Sequence, residues 1–510
     1  MLTLTAMLEG SARSHGSQAA IVQGERSLTY AELVDRSTQV AGELSQRGFR
    51  PGDRLVNWLP NSDEWLVLMF TAARLGLISA LINTRYRAAE LERVLRTTQA
   101  RGLALHPGFH GIDFEGILAE TGCPLEHVLT PGDPAASRPT SPAEPVAVPE
   151  DVAILFTTSG TTAWPKLAGH DHRGVVLHAV NDARAIDLRP GDVMLVALPL
   201  CEAFGFAGAM AALSAGASLV LQAVFEPSKT LELLERHRVT HFYGSDSMLR
   251  AVLESAAGDR RPFESRRWGC HANFSGQPLE LVRQAEETAG VRIHGTYGSS
   301  ECFALMSRWA ADAPVEERAQ AGGYLVSEDV RVRTCDPETG RELAPVEHGE
   351  LQFRGYNVTA GYFGNEPATT AAFTQDGWYR SGDLGYVEPT GAFVFLSRLK
   401  DSMRVRGYLV DPLEIEEQLE LHAAVEVAQV VGVPAAGEGD VPVAYVKLRS
   451  VAAASPEELA LFCGERLASY KAPRLVRLID EFPFVDGPNG RKIQKGRLRE
   501  SAAADLAGAG

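Results

Sequence analysis

Hydrophobic and polar positions change period repeatedly along this chain. In "SLTYAELVDRSTQVAGELSQRG" (residues 27–48) a short strand signal gives way to an amphipathic helix that Gly48 closes as a C-cap. "EWLVLMFTAARLGLISALI" (64–82) joins a helical run to an apolar strand run, broken by Arg74 and Gly76, which marks a buried core element and not a membrane span. "DRLVNWL", "VAILFTT", "DVMLVALPL", "ASLVLQA" and "VTHFYGS" are short apolar or β-branched runs ending in turn residues, the pattern of buried strands. The alternation predicts an α/β protein with mixed sheets. Proline, alanine and serine dominate Thr130 to Pro149, which reads as an exposed connection. "GAFVFLSR" meets a polar turn at Leu399 to Asp401, and a fresh unit of about a hundred residues follows. In it "PLEIEEQLELH" is helical, "VEVAQVVGVP" and "VPVAYVKLR" are strands, and "SAAADLAGAG" is expected to fray.

At 510 residues the chain exceeds a single core and two or more domains are expected. The net charge of -16, from 49 basic and 65 acidic residues, argues against a general nucleic-acid binder and is read as solubility. Cysteines at 123, 201, 270, 302, 335 and 463 lack the close spacing of a zinc ribbon or redox pair. The first residues carry no signal-peptide pattern, and a reducing cytoplasm is the expected compartment, with no membrane partner.

"AILFTTSGTTAWPKLAGHDH" (153–172) is an apolar strand opening into a loop of small hydroxyl residues and glycine, with Lys166 beyond it. Such a loop can turn backbone N–H groups inward, add hydroxyl donors and end on a point charge, which suits an anion. The spacing is not that of a P-loop nucleotidase. Taken by itself, the segment reads equally as a polar surface turn.

Further motifs follow in order: "YGSSE" (297–301), "GELQFRGYNVTAGYF" (349–363), "GWYRSGDLGYV" (377–387), "SRLKDSMRVRGYLVDPLEIE" (397–416) and "NGRKIQKGRLRE" (489–500). With the loop they resemble the signatures of the acyl-adenylate-forming (AMP-binding) superfamily, most like an aryl- or acyl-CoA ligase, over almost the whole chain. The resemblance implies a large N-terminal domain (1–399) of mixed and parallel sheets flanked by helices. A small mobile α+β C-terminal domain (400–510) would turn on a hinge at Lys400. It implies an enzyme using ATP, Mg²⁺ and coenzyme A on a small-molecule carboxylic acid. First the carboxylate attacks the α-phosphorus, giving acyl-AMP and pyrophosphate; then a thiol displaces AMP. A carrier protein or an amine is the alternative acceptor, a non-catalytic binder the alternative class, and a homodimer is left open. The lack of a fused carrier domain in this sequence favours coenzyme A.

By the same resemblance Thr158, Ser159, Gly160, Thr161, Thr162 and Lys166 hold the β- and γ-phosphates. Glu301 helps hold Mg²⁺, Tyr297 stacks on adenine with Gly276 and Gln277 lining the adenine slot, and Gly298, Ser299 and Ser300 belong to the same nucleotide-binding motif. Asp383 accepts from the ribose hydroxyls, Arg398 reaches ribose or phosphate, and Lys492 bridges carboxylate and α-phosphate. From composition alone Lys492 would be a solvated charge among Arg491, Lys495, Arg497 and Arg499. The family has glycine where Ala163, Leu167 and Arg491 stand, so a positive φ at the loop positions would be costly.

"PLCEAFGFAG" puts Glu202 where many CoA ligases have histidine. A carboxylate beside a carboxylate substrate must be protonated, paired or turned away. It reads either as an acceptor for a substrate hydroxyl or nucleophile, or as a paired structural glutamate. Candidate acid-pocket residues are Glu202, Ala203, Phe204, Tyr243, Asp246, Ser275, Thr296 and Phe303. Aromatic residues alternating with small ones suit a planar ring, and Asp246 stands where proline is usual. The pattern points to an aromatic acid, bicyclic and hydroxylated as in natural-product pathways. Plain core packing around a medium-chain fatty acid is the competing reading.

Overall fold

The computed structural model describes residues 2–130, 143–158, 165–273, 278–405, 408–435, 439–450, 452–467, 471–487 and 490–508. Local chemistry sets the element ends. Thr29 and Glu32 form a reciprocal capping box at the head of the helix Tyr30–Gln46. Past its end Gly48 takes φ 90°, the left-handed C-terminal turn expected of it. The helix Asp63–Arg74 and the strand Ile78–Leu81 divide the long apolar run at Gly76, whose φ is 65°.

The elements that carry the site are, in chain order, β1 (Val152–Thr157), β2 (Leu167–Asp171), α1 (His172–Ala185), α2 (Ala203–Ser214), β3 (His241–Ser245), α3 (Asp246–Ala256), β4 (Gly361–Tyr362), β5 (Tyr379–Val387), β6 (Phe393–Arg398), β7 (Gly490–Ile493) and α4 (Lys495–Gly508). Among the described residues two seven-stranded sheets and one six-stranded sheet precede Lys400. β3 sits in the first seven-stranded sheet, whose central pairs are parallel. β1 and β2 form an antiparallel hairpin at one side of the second, with β4 added at its edge. β5 and β6 pair in the antiparallel six-stranded sheet. The expected mixed α/β architecture is present.

Between the large sheets lies α2, in which every residue from Ala203 to Leu213 is buried. A helix apolar on all sides belongs in the middle of a core, and α2 packs along α1 there. Residues after Lys400 build a separate sheet with its own apolar clusters. The tail does not fray as expected. Its residues 501–508 continue α4, because Leu498 and Ala502, one turn apart, are buried against the strand Val425–Ala435. Among the described residues no helix is long and apolar enough to cross a membrane.

Candidate active site

The hydroxyl loop is held shut at its base. Thr158 N–H donates to the Lys166 carbonyl at 2.9 Å, and Lys166 N–H donates to Thr158 Oγ1 at 3.3 Å. Ser159, Gly160, Thr161, Thr162 and Ala163 lie outside the described residues, as do Ser275, Gly276 and Gln277. Leu167 is a buried β2 residue whose φ is not positive, so the cost anticipated for replacing glycine there does not arise. Lys166 Nζ stands 4.4 Å from the centroid of the Tyr362 ring, while the Tyr362 hydroxyl donates to Glu301 Oε1 at 2.9 Å. Tyr362 thus couples the loop lysine to the acidic motif. The quoted motif contained it, but nothing in a lone tyrosine before Phe363 signalled that role. Removing a hydrogen bond to a charged group costs about 1.5–3 kcal/mol. Tyr362→Phe is therefore expected to raise the KM for Mg·ATP about tenfold in steady-state kinetics, with the fold retained.

Glu301 is fixed from several directions. Its N–H donates to Ser299 Oγ at 3.2 Å and its carbonyl accepts from Thr359 N–H at 2.6 Å. Ser300 Oγ donates to the Thr157 carbonyl at 3.2 Å, tying the motif to the end of β1. Histidines grip the carbonyls on either side: His170 Nε2 lies 2.8 Å from Ser300 O, and His178 Nε2 2.7 Å from Ala304 O. Burial pushes both imidazoles down to about 4, so they stay neutral at physiological pH. Phe303 and Leu305 hold φ of 59° and 63°, which is costly for bulky side chains. The Phe303 ring sits 4.2 Å from His170 and 4.9 Å from His178, in contacts that offset the strain. His170 and His178, which sequence reasoning passed over, therefore shape the loop that presents Glu301. Among the described residues no three His, Cys, Asp or Glu side chains cluster as a cation cage. A single carboxylate at Glu301 fits Mg²⁺, which takes one or two carboxylates and completes its shell from phosphates and water.

At the other end of the motif the Tyr297 hydroxyl donates to Asp383 Oδ2 at 2.5 Å. Its ring packs on Phe353, Phe393 and Phe395 at 5.3, 5.4 and 5.6 Å. The close fit of the chain at Gly298 leaves no room for a side chain: a Cβ would meet Phe303 O at 2.2 Å. Asp383 is 2% exposed, and burial raises its carboxyl to about 6 against the opposing pull of Arg398. Arg398 Nη1 lies 3.1 Å from Asp383 Oδ1, yet no hydrogen bond is aligned on that oxygen. The contact is Coulombic, and Oδ1 keeps an acceptor lone pair that a hydroxyl donor can fill.

Around the expected acid pocket, Phe204 and Tyr243 stack with an interplanar angle of 13° and centroids 6.1 Å apart. Gly208 lies against the Tyr243 ring, where a Cβ would come within 3.0 Å. Ala203 and Thr296 are buried, the latter donating to Ser307 O at 3.4 Å. Glu202 holds the N-cap position of α2, where the helix dipole favours a negative charge. Asp246, fully buried, begins α3 and accepts from Ser247 N–H at 2.9 Å. Phe303, placed between the two histidines, packs edge-on to Phe156.

In the C-terminal part, β7 carries Lys492 opposite Val485 in a hairpin, and its backbone lies beside α3. Lys400 follows β6, its carbonyl 3.5 Å from Arg499 Nη2. Lys471 gives both Glu414 oxygens a 2.6 Å hydrogen bond.

The sheet architecture, with the hydroxyl loop between β1 and β2, the braced Glu301 loop and the buried Asp383 on β5, is that of an adenylating ligase. The AMP-binding enzyme family model matches residues 8–363, and that of the AMP-binding enzyme C-terminal domain matches 414–484. The chain belongs to the AMP-binding enzyme family and is an AMP-forming acid–CoA ligase-type enzyme. It is 30% identical to feruloyl-CoA synthase of Amycolatopsis sp, over 96% of either chain. It superposes with a TM-score of 0.87 and 27% identity on ATP-bound MatB of Rhodopseudomonas palustris, covering 98% of this chain and 99% of that one. The anthranilate CoA ligase AuaEII in complex with anthranoyl-AMP gives 0.85 and 26%, covering 99% and 98%.

Proposed function

We propose that the protein is a carboxylate–CoA ligase for aromatic acids, working through an acyl-AMP. The observation that carries the aromatic reading is the parallel pair Phe204 and Tyr243 beside Gly208, a flat wall suited to a ring. Feruloyl and anthranoyl, in the names of two similar proteins, are aromatic acyl groups as well.

In the first half-reaction the acid's carboxylate attacks the α-phosphorus in line, and pyrophosphate leaves. Negative charge shifts among phosphate oxygens, so positioned cations and donors do the work. Thr158 to Thr162 and Lys166 take the β- and γ-phosphates. Glu301, braced by Tyr362, Thr359 and the histidine-held loop, takes Mg²⁺, which supplies charge neutralisation. Asp383 accepts the ribose hydroxyls and Arg398 lies beside them. Lys492 neutralises the carboxylate–α-phosphate junction. In the second half-reaction the coenzyme A thiolate attacks the acyl carbon and AMP departs, after the C-terminal domain turns at Lys400.

Acid-dependent ATP–pyrophosphate exchange across aromatic and aliphatic acids tests the reading, followed by mass spectrometry of the product with coenzyme A. Exchange confined to aliphatic acids would overturn the aromatic assignment, and an amide or carrier-bound product would replace coenzyme A as the acceptor. Glu202→His is expected to change kcat/KM for the acid at least fivefold if Glu202 addresses substrate or nucleophile. Unchanged kinetics in Glu202→His and Glu202→Gln would leave it a structural residue at the head of α2.

A further inference from the structure

The face of α1 that carries His178 against Phe303 carries Asp182 one turn further on. Asp182 is 1% exposed, and among the described residues its Oδ2 has no hydrogen-bond partner. Tyr243, 3% exposed, likewise has no partner for its hydroxyl among the described residues. The fold brings their elements together. His241 Nε2 lies 3.1 Å from the Ile186 carbonyl at the end of α1, which brings β3 alongside that helix. Tyr243 is two residues on, on the same strand face, and Asp182 is one turn back along the helix. Each lies within the other's electrostatic reach, with Cys270 and Arg308 close enough to act on both. Arg308 acts on Asp182 electrostatically, favouring its ionised form against the effect of burial.

A buried acceptor left without a donor costs about 1–3 kcal/mol, more when it is charged, and native interiors pair nearly all such groups. Two such orphans within electrostatic reach of each other are better explained by a ligand than by packing. The Tyr243 ring lies against Phe204 and Gly208, residues of the proposed acid pocket, so its hydroxyl and Asp182 would lie at that pocket's inner end. We infer that Asp182 and Tyr243 form a polar floor selecting acids that carry a hydroxyl or amino donor remote from the carboxylate. This rests on the adenylation reading of the site. A hydroxyl would donate to Asp182 Oδ2 and accept from Tyr243; an amino group would donate to both oxygens. A methyl in the same place leaves both unpaired, the situation in which enzymes discriminate most strongly. Burial raises the Asp182 carboxyl well above the usual range, as expected of a carboxyl with no donor in place. Asp246, the polar group suggested by sequence for this task, already spends an oxygen on its own helix.

The test is ATP–pyrophosphate exchange with matched acids: 4-hydroxy-, 4-amino- and 4-methylbenzoate, the corresponding 3-phenylpropanoates, and ω-hydroxy against ω-methyl aliphatic acids. The wild type is expected to favour the donor-bearing member by at least tenfold in kcat/KM. Tyr243→Phe and Asp182→Leu are each expected to shrink that ratio at least fivefold. Tyr243→Phe removes one oxygen only, so it remains informative where Asp182→Leu does not fold. A wild type indifferent to the substituent, or a ratio that survives both changes, overturns the polar floor while leaving adenylation intact. Silence with every acid instead contradicts the adenylation reading and takes this inference with it.

Discussion

Replacing Lys492 with alanine is expected to lower acid-dependent ATP–pyrophosphate exchange by about 10²–10³-fold, the usual cost of deleting one group that stabilises developing charge. Thioester formation from supplied acyl-AMP and coenzyme A should persist. The contrast follows from the chemistry. In the first half-reaction two anions, carboxylate and triphosphate, must meet, and an ammonium between them neutralises the junction. In the second the acyl carbon is attacked by a thiolate, and no carboxylate approaches the phosphorus. Lys492 stands on β7, whose strand lies beside α3 of the large domain. Rotation at Lys400 would carry it away between the two steps. Equal loss of both half-reactions, or of neither, would contradict the assigned role. The readouts are isotope exchange for the first step and thioester mass for the second.

Asp383→Asn is expected to raise the KM for ATP about tenfold at pH 7 and to abolish a pH dependence that the wild type shows. Burial holds the Asp383 carboxyl at about 6 in the empty protein, above its ordinary 3.8. Ribose hydroxyls donating to the carboxylate favour its ionised form, so nucleotide binding releases a proton wherever the group is still protonated. ATP affinity in the wild type should therefore weaken as pH falls through about 6 and be level above it. For the empty protein the sign is opposite. The unfolded chain ionises first, so Asp383 makes stability fall as pH rises from about 4 to about 6. Asparagine cannot ionise, and both slopes should flatten. ATP titrations between pH 5 and 8 provide the check; a wild-type KM that is constant across that range would remove Asp383 from the nucleotide site.

The contrast between legible and illegible features follows from how far apart the partners lie in the chain. The strand at Val152–Thr157, the helix closed by Gly48 and the division at Gly76 depend on neighbouring residues, and period and turn chemistry reveal them. The tail escaped this reasoning. Leu498 and Ala502 are too few to make an apolar stripe on their own, and only the strand Val425–Ala435 beneath them makes the helix worth forming. The structural neighbours of Glu301 were equally hidden. Tyr362 comes from β4, His170 from β2 and His178 from α1, and no local pattern links them to Glu301, Ser300 and Ala304, which lie 61, 130 and 126 positions from them respectively.

Sequence by itself determined the α/β class and the order of the motifs, because those depend on short runs of residues whose chemistry is local, and the kind of reaction followed from the resemblance of those ordered motifs to the acyl-adenylate-forming superfamily. Tertiary structure alone decided how the parts are braced. It placed Tyr362 between Lys166 and Glu301, held a strained Phe303 between two neutral histidines, and left buried oxygens of Asp182 and Tyr243 without partners among the described residues. Each of these is a meeting of groups far apart in the chain, and burial fixes its energy. Periodicity reports which face of an element is covered, but not which side chain, from elsewhere in the fold, will cover it.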